Sequence, residues 1–192
     1  MDLTQILALL LMAIFYAAYF AKMLLQRKKG IQTSQLGKGK KDKKTFCVEL
    51  LLKIATYAIL PAELVSILGR FRLWNPPWSY SGIFLAAIGI LIFVIAMGTM
   101  RDSWRAGIPA SEKTELVTGG IYRISRNPAF LGFDLLYLGL LLAFFNVVHL
   151  VCVLFAIIML HLQILQEERF LEGLFGEDYL RYKKKTGRYF IV

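Results

Sequence analysis

Two stretches of this sequence hold residues whose types and spacing suit chemistry better than packing. One is residues 116–132, Leu-Val-Thr-Gly-Gly-Ile-Tyr-Arg-Ile-Ser-Arg-Asn-Pro-Ala-Phe-Leu-Gly, and the other, about 35 residues later, is the acidic pair Glu167-Glu168. The first gathers glycines, arginines and an Asn-Pro helix start; the second supplies two adjacent carboxylates. One apolar hairpin separates them, so the returning chain is predicted to bring both to the same membrane face. Polar groups collected there suit a polar ligand better than a simple bilayer anchor.

The groups present describe that ligand. Arg126-Asn127-Pro128 opens a predicted helix, since Pro is tolerated in a first helical turn. Such an N-terminus offers free backbone N–H groups and a partial positive charge, which suit a carboxylate or phosphate. Gly119 and Gly120 allow the preceding loop to approach a ligand closely. Glu167 and Glu168 can accept hydrogen bonds from ribose hydroxyls or pair with an ammonium group. A molecule carrying a carboxylate, an ammonium, a sulfonium and a ribose satisfies all of them, and S-adenosylmethionine is such a molecule. Each piece alone has a plainer explanation. Arg123 and Arg126 would be topological anchors, Glu167-Glu168 a solvated helix end, and Asn127-Pro128 a helix start. Their combination at the two ends of one hairpin carries the binding interpretation.

The elements that position these groups follow from composition. At 57% hydrophobic and 14% aromatic, the 192 residues do not form a soluble domain. Apolar runs at 3–25, 46–68 and 80–100 each approach the roughly 20 residues needed to cross about 30 Å of hydrocarbon. Residues 130–165 are predominantly apolar, with a break signalled only at Asn146. One helix of that length would extend about 54 Å, so two helices folded back at Asn146 are expected. The predicted fold is an all-α integral membrane bundle of five transmembrane helices, with a cytosolic cofactor pocket and a C-terminal amphipathic helix. Residues 1–192 form one membrane domain. Residues 1–100 hold three helices and a basic cytosolic loop at 26–45, and residues 101–192 form the cofactor-binding core.

The net charge of +10 could suggest nucleic acid, but its distribution excludes that partner. Of 23 Lys and Arg residues, 19 fall in 26–45, 101–129 and 166–192. The other side holds only Arg70 and Arg72, while Lys22 and Lys53 sit near inner helix ends. The positive-inside bias then places the motif loop and C-terminus in the cytosol and the N-terminus outside, in the plasma membrane if the cell is prokaryotic. Attraction to anionic membrane lipids is a secondary consequence. The first helix follows Asp2 and not a basic region, so it is expected to be retained and not cleaved as a signal.

Other features are structural expectations. Residues 27–45, rich in Lys, Gly, Ser and Gln, should be a mobile linker. Pro61 should kink the second helix. Trp74, Trp78 and Tyr80, around Asn75-Pro76-Pro77, suit an outer aromatic belt. Gly82, Ala86, Gly89 and Ala96 permit a close helix contact, and would also permit a dimer. From Gln166 an amphipathic helix should lie on the membrane surface, broken at Gly176 and ended by Thr186-Gly187-Arg188. Cys47 and Cys152 should be buried thiols with no disulfide between them. Asp134 would lie near the pocket, and Glu63 would pair with Arg70 or Arg72. His149 and His161 offer no metal-ligand spacing.

The motif of residues 116–132 resembles the cofactor motif of the isoprenylcysteine carboxyl methyltransferase family, whose arrangement phospholipid N-methyltransferases share. That motif reads Gly-x-Tyr-Arg followed by Arg-His-Pro-x-Tyr-x-Gly. A second family element, Glu-Glu followed by Phe-Gly-x-x-Tyr-x-x-Tyr, is similar to Glu167, Glu168, Phe175, Gly176, Tyr179 and Tyr182. Ser103-Trp104 and the closing Thr186-Gly187-Arg188 resemble further positions of small prokaryotic members. The resemblance covers about residues 98–190. It implies S-adenosylmethionine held by Leu116, Val117, Gly119, Gly120, Tyr122, Asn127, Pro128, Phe130, Leu131, Gly132, Glu167 and Glu168. It implies a lipophilic or lipidated acceptor, bearing a carboxylate, thiol or amine, that arrives laterally from the bilayer. Arg123, Arg126 or Arg188 would hold an acceptor carboxylate.

Two positions depart from the family pattern. Asn127 replaces the commoner His and cannot exchange a proton near neutral pH, and Phe130 keeps the ring of the commoner Tyr without its hydroxyl. Methyl transfer from a sulfonium tolerates both losses. Two other readings stay open: an NADPH-dependent membrane reductase of the sterol reductase type, and a non-enzymatic accessory protein.

Overall fold

The structure, a computed structural model, describes residues 1–39, 41–72, 76–108 and 115–190. Among the described residues six α-helices carry the fold. α1 (Leu3–Lys28) starts from a capping box in which Asp2 and Gln5 satisfy each other's backbone N–H. Arg27 and Lys28 close it, complementing the helix dipole. α2 (Lys43–Leu68) is capped by the Asp42 carboxylate and continues through Pro61. α3 spans Pro76–Met100, followed by a 3-10 turn at Arg101–Ser103. A second 3-10 turn, Gly120–Arg123, leads into α4 (Pro128–Ala143). Asn146 caps α5 (Val147–Phe175) by accepting from His149 N–H at 2.9 Å. Gly176, at φ 53°, makes the break into α6 (Glu177–Lys185), and Thr186 ends that helix.

Among the described residues four helices, α1, α2, α3 and α5, are long and apolar enough to cross a membrane. The expected fifth span is shorter. α4 has 16 residues, which extend about 24 Å and fall short of about 30 Å of hydrocarbon. The helix stops at Ala143 because Phe144, Phe145 and Asn146 are spent on reversing the chain into α5. α5 absorbs the difference: it continues beyond the apolar run, so the surface helix expected from Gln166 is confined to α6.

α3 and α4 form the most extensive helix contact, with α2 against α5 next. Glycine makes the first contact possible. A methyl group on Gly89 would lie 2.7 Å from the Gly132 carbonyl, and one on Gly139 would lie 2.5 Å from the Ala86 nitrogen. The small-residue face of α3 is thus buried within the chain and is not open to a second copy. Behind it, Phe15, Phe93 and Phe133 meet with ring centroids 4.7–5.1 Å apart. Large apolar side chains such as Leu10, Leu50, Phe84, Leu91 and Ile158 point outward, as expected where hydrocarbon is the solvent. The chain is an integral membrane protein. Trp78 and Tyr80 are also exposed; Trp74 and Asn75 of the expected belt lie outside the described residues.

Polar ties close both ends of the bundle. At one end Gln5 Nε2 donates to the Ile67 carbonyl at 2.7 Å, Arg70 donates to Gln5, and Arg72 pairs with Asp2 at 2.8 Å. These contacts correct the expected pairing of Glu63. Both arginines serve the start of α1, and Glu63 is buried with Oε1 unbonded among the described residues. Cys47 and Cys152 are free thiols, but neither is buried as expected: Cys47 is exposed and Cys152 half-buried.

At the basic end the expected mobile linker is folded. Gln35 N–H donates to Ala106 O at 2.8 Å and Ala106 N–H to Thr33 O at 2.9 Å, which joins the 33–35 and 104–108 segments. Glu49, 0% exposed, ties both to α2. It accepts from Gly37 N–H at 2.8 Å, from Lys41 Nζ at 2.5 Å and from Ile108 N–H at 3.0 Å. A polar segment that cannot build an apolar core has built a hydrogen-bonded one.

Candidate functional site

The hairpin α4–α5 returns Glu167 and Glu168 to the level of the motif loop, and the two carboxylates then part. Consecutive residues on a helix point about 100° apart. Glu168 turns toward the loop and tail. Its Oε1 accepts from Arg126 Nη2 at 2.8 Å and from Arg188 Nε at 3.1 Å, and its Oε2 from Arg188 Nη2 at 2.8 Å. Arg126 also donates to the carbonyls of Lys183 and Thr186, at 3.1 and 2.5 Å. Asn127 makes no side-chain cap for α4; its amide donates to the Arg188 carbonyl at 3.2 Å. Tyr182 OH donates to the Tyr122 carbonyl at 2.6 Å. These bonds form a clasp between the motif loop, α5 and the chain terminus. Glu168 is only 4% exposed, and two guanidinium groups engage both of its oxygens.

The clasp sets the titration of its members outside the membrane-spanning segments. Its hydrogen bond to Glu168 pushes the Arg188 guanidinium above its usual pKa. Burial pushes the Tyr182 phenol up to about 12. Burial also raises Tyr122, with Tyr182 and Glu167 adding to the shift.

Glu167 faces a different space. Its Oε1 accepts from Gln163 Nε2 at 3.0 Å, and its side chain lines a cavity of about 330 Å³ between α1, α2, α4 and α5. Aromatic rings dominate the lining, among them Tyr16, Tyr19, Tyr57, Trp104, Phe130 and Phe133. Lys53, Arg105 and Gln163 add polar groups. Ala129 and Phe130, in the first turn of α4, also line it, so the positive end of that helix borders the cavity. The folded segments at the basic end complete the wall with Ser34, Leu36, Ala106 and Gly107.

Of the residues predicted for the site, Phe130 and Glu167 line this cavity. Tyr122, Arg126, Asn127, Glu168 and Arg188 belong to the clasp beside it. Pro128 is the buried first residue of α4, and Leu131 is half-buried one turn on. Gly132 packs against Gly89 and Phe93, while Gly120, at φ +58°, lies against Thr99. Leu116 and Val117 are half-buried and Gly119 is exposed, in a segment without regular structure. Arg123 is exposed and has no side-chain hydrogen bond or ion pair among the described residues. Asp134 is half-buried with Oδ1 unbonded and does not line the cavity. Of the two histidines, His149 bonds the Phe144 carbonyl and His161 bonds Tyr189.

Sequence reasoning missed most of the cavity. Tyr16, Tyr19 and Tyr57 lie in apolar runs that carry no motif, and Lys53 stood out only by its place near an inner helix end. Glu49 offered one signal, an acidic residue within an apolar run.

The lining suits a cationic ligand with a carboxylate. Aromatic faces and a carboxylate attract a sulfonium or ammonium, and the α4 N-terminus suits the anionic end. S-adenosylmethionine, with both, fits the residues present.

Comparison with known proteins points to a methyltransferase family. The family model described as phospholipid methyltransferase matches residues 78–178, which is 101 of the 192 residues and includes α3, α4, α5 and the motif loop. A protein-S-isoprenylcysteine O-methyltransferase of Saccharomyces cerevisiae is 31% identical over 109 residues, covering 55% of this chain and 46% of that protein. The chain thus spans about half the length of the curated relative it matches. The chain belongs to the phospholipid methyltransferase family of membrane methyltransferases.

Proposed function

We propose that this protein transfers a methyl group from S-adenosylmethionine to a lipophilic acceptor within the membrane. The observation that carries this reading is the aromatic cavity with Glu167 on its wall, built inside a lipid-facing bundle of a methyltransferase family. In this reading Glu167 and the aromatic rings hold the cationic part of the cofactor, and Ala129 and Phe130 present the α4 N-terminus to its carboxylate. Leu116, Val117, Gly119, Gly120, Tyr122 and Asn127 hold its remaining polar parts from the loop, while Pro128, Leu131 and Gly132 set the helix that presents them. Arg126, Glu168 and Arg188 act as positioning residues, because their charges are spent on one another.

When bound, the cofactor supplies an activated methyl on a sulfonium. The chain needs no general base for a carboxylate or thiolate acceptor, consistent with Asn127 at a position commonly His. What the residues supply is alignment and the exclusion of water. The aromatic wall removes solvent, and a dry site favours the charge-dispersed state reached as cation and anion neutralise. Lys53 and Arg105 line the same cavity, so they join Arg123 as groups able to orient an acceptor carboxylate. The positive charge concentrated at one end supports a cytosolic location for that end, the motif loop and the C-terminus. The acceptor enters from the bilayer.

The test uses protein in lipid nanodiscs with methyl-labelled S-adenosylmethionine and three acceptors: a prenylated thioether carboxylate, a long-chain thiol and a phospholipid amine. Label should pass into the organic phase with at least one acceptor and fall strongly in Glu167→Ala. Label transfer that survives Glu167→Ala would refute this site.

A further inference from the structure

A second concave site lies outside the methyltransferase cavity. A groove of about 450 Å³ runs along the last turn of α1 and the segment that folds back beneath it. Met23, Leu24 and Ile31 form its apolar wall, and Arg27 and Lys38 stand at its polar part. Among the described residues no carboxylate lines it. Gly30, at φ +74°, turns the chain back to make the floor, and nothing lies within 4 Å of where its side chain would begin.

Among the nearby basic residues Lys28 is exposed, like Arg27 and Lys38, but does not line the groove, and two others are paired. Lys29 pairs with Asp102 at 2.8 Å, and Lys41 is buried against Glu49. Arg27 and Lys38 are exposed, with no side-chain hydrogen bond or ion pair among the described residues. Immediately above the groove, Phe20, Leu24 and Leu25 are more than half exposed along a membrane-crossing helix. The site therefore offers hydrocarbon contact on one side and, on the other, two cations without a counter-charge among the described residues. Positive charge without a counter-charge, placed where a lipid-facing surface ends, complements a phospholipid headgroup.

We propose that this groove binds an anionic membrane phospholipid, its phosphate between Arg27 and Lys38 and its acyl chains along Phe20 and Leu24. Met23 and Ser34 line both this groove and the inner cavity, so the lipid rests against their shared wall. The proposal is independent of methyl transfer.

Native mass spectrometry of the detergent-purified full chain tests it, with phosphatidylglycerol and phosphatidylcholine of identical acyl chains. The wild-type chain should prefer phosphatidylglycerol. Arg27→Gln/Lys38→Gln should weaken that lipid roughly 25-fold, at about fivefold per basic residue. Lys43→Gln/Lys44→Gln, which removes the same charge from exposed positions outside the groove, should leave the preference in place. Equal loss in both double variants, or no preference in the wild-type chain, would overturn the proposal. Displacement of the lipid by an equal concentration of soluble glycerol phosphate would also overturn it, because the groove would then read a free phosphate.

Discussion

At the residue scale, two adjacent carboxylates with the same sequence signature have different work. Glu168 is a structural anion, held by Arg126 and Arg188, whereas Glu167 belongs to the cavity. Their substitutions should therefore separate. Glu168→Gln leaves two guanidinium groups short of a counter-charge and should cost roughly 3–5 kcal/mol, the usual range for breaking a buried pair. Thermal melts should fall, and hydrogen exchange should rise across residues 182–189. Glu167→Gln should change stability by no more than about 1 kcal/mol. Its cost should appear in cofactor affinity, about 10- to 100-fold for one charge-assisted contact. The opposite pattern would mean the two roles are exchanged. The clasp also predicts an alkaline limit. Tyr182 is expected near pKa 10 in the unfolded chain and is held up to about 12 in the fold. Its contribution is complete below the unfolded value and is lost as pH rises through the folded one. Tyrosinate absorbance and melting temperature should change together in that alkaline range, and Tyr182→Phe should remove this part of the change.

At the element scale, α3 and α4 pack with their backbones in near contact, which only glycine permits at Gly82, Gly89, Gly132 and Gly139. Gly89→Ala should destabilise the bundle by about 1–3 kcal/mol through overpacking. Gly98, on the same helix with nothing within 4 Å, supplies the contrast: Gly98→Ala should be neutral or stabilising by up to about 1 kcal/mol. Melts of the two variants in one detergent decide the matter, and equal effects would mean the close approach is not what the glycines serve. This contact was legible in the sequence because small residues recurred along one apolar run. The four long helices were legible for the same kind of reason, since length and hydropathy are local. The folded basic segment was not. Its stability rests on Glu49 accepting from Gly37 and Ile108, partners far apart in the chain whose meeting no composition rule detects. The parting of Glu167 from Glu168 was readable in principle, since neighbours on a helix cannot share a face.

At the scale of the whole molecule, three regions that look unrelated in sequence enclose one space. α1 and α2 bring aromatic rings, the hairpin α4–α5 brings Glu167 and a helix N-terminus, and the basic segments close the end. The sequence pointed to residues 116–132 together with Glu167 and Glu168 as the ligand site. The structure sets Tyr122 and Asn127 in the clasp and places the aromatic cavity next to it. The N-terminal half, which carries no recognisable motif, supplies much of the wall. If that wall is part of the site, then Tyr19→Ala should weaken ligand binding without affecting the clasp. The clasp should stay as protected from hydrogen exchange as in the wild-type chain.

The most direct measurement is calorimetric titration of S-adenosylmethionine and S-adenosylhomocysteine into detergent-purified protein, with NADPH as comparison and Glu167→Gln alongside. The account predicts micromolar binding of the first two, little with NADPH, and a loss of at least about tenfold in the variant. Binding of NADPH alone, or S-adenosylmethionine binding indifferent to Glu167, would contradict it.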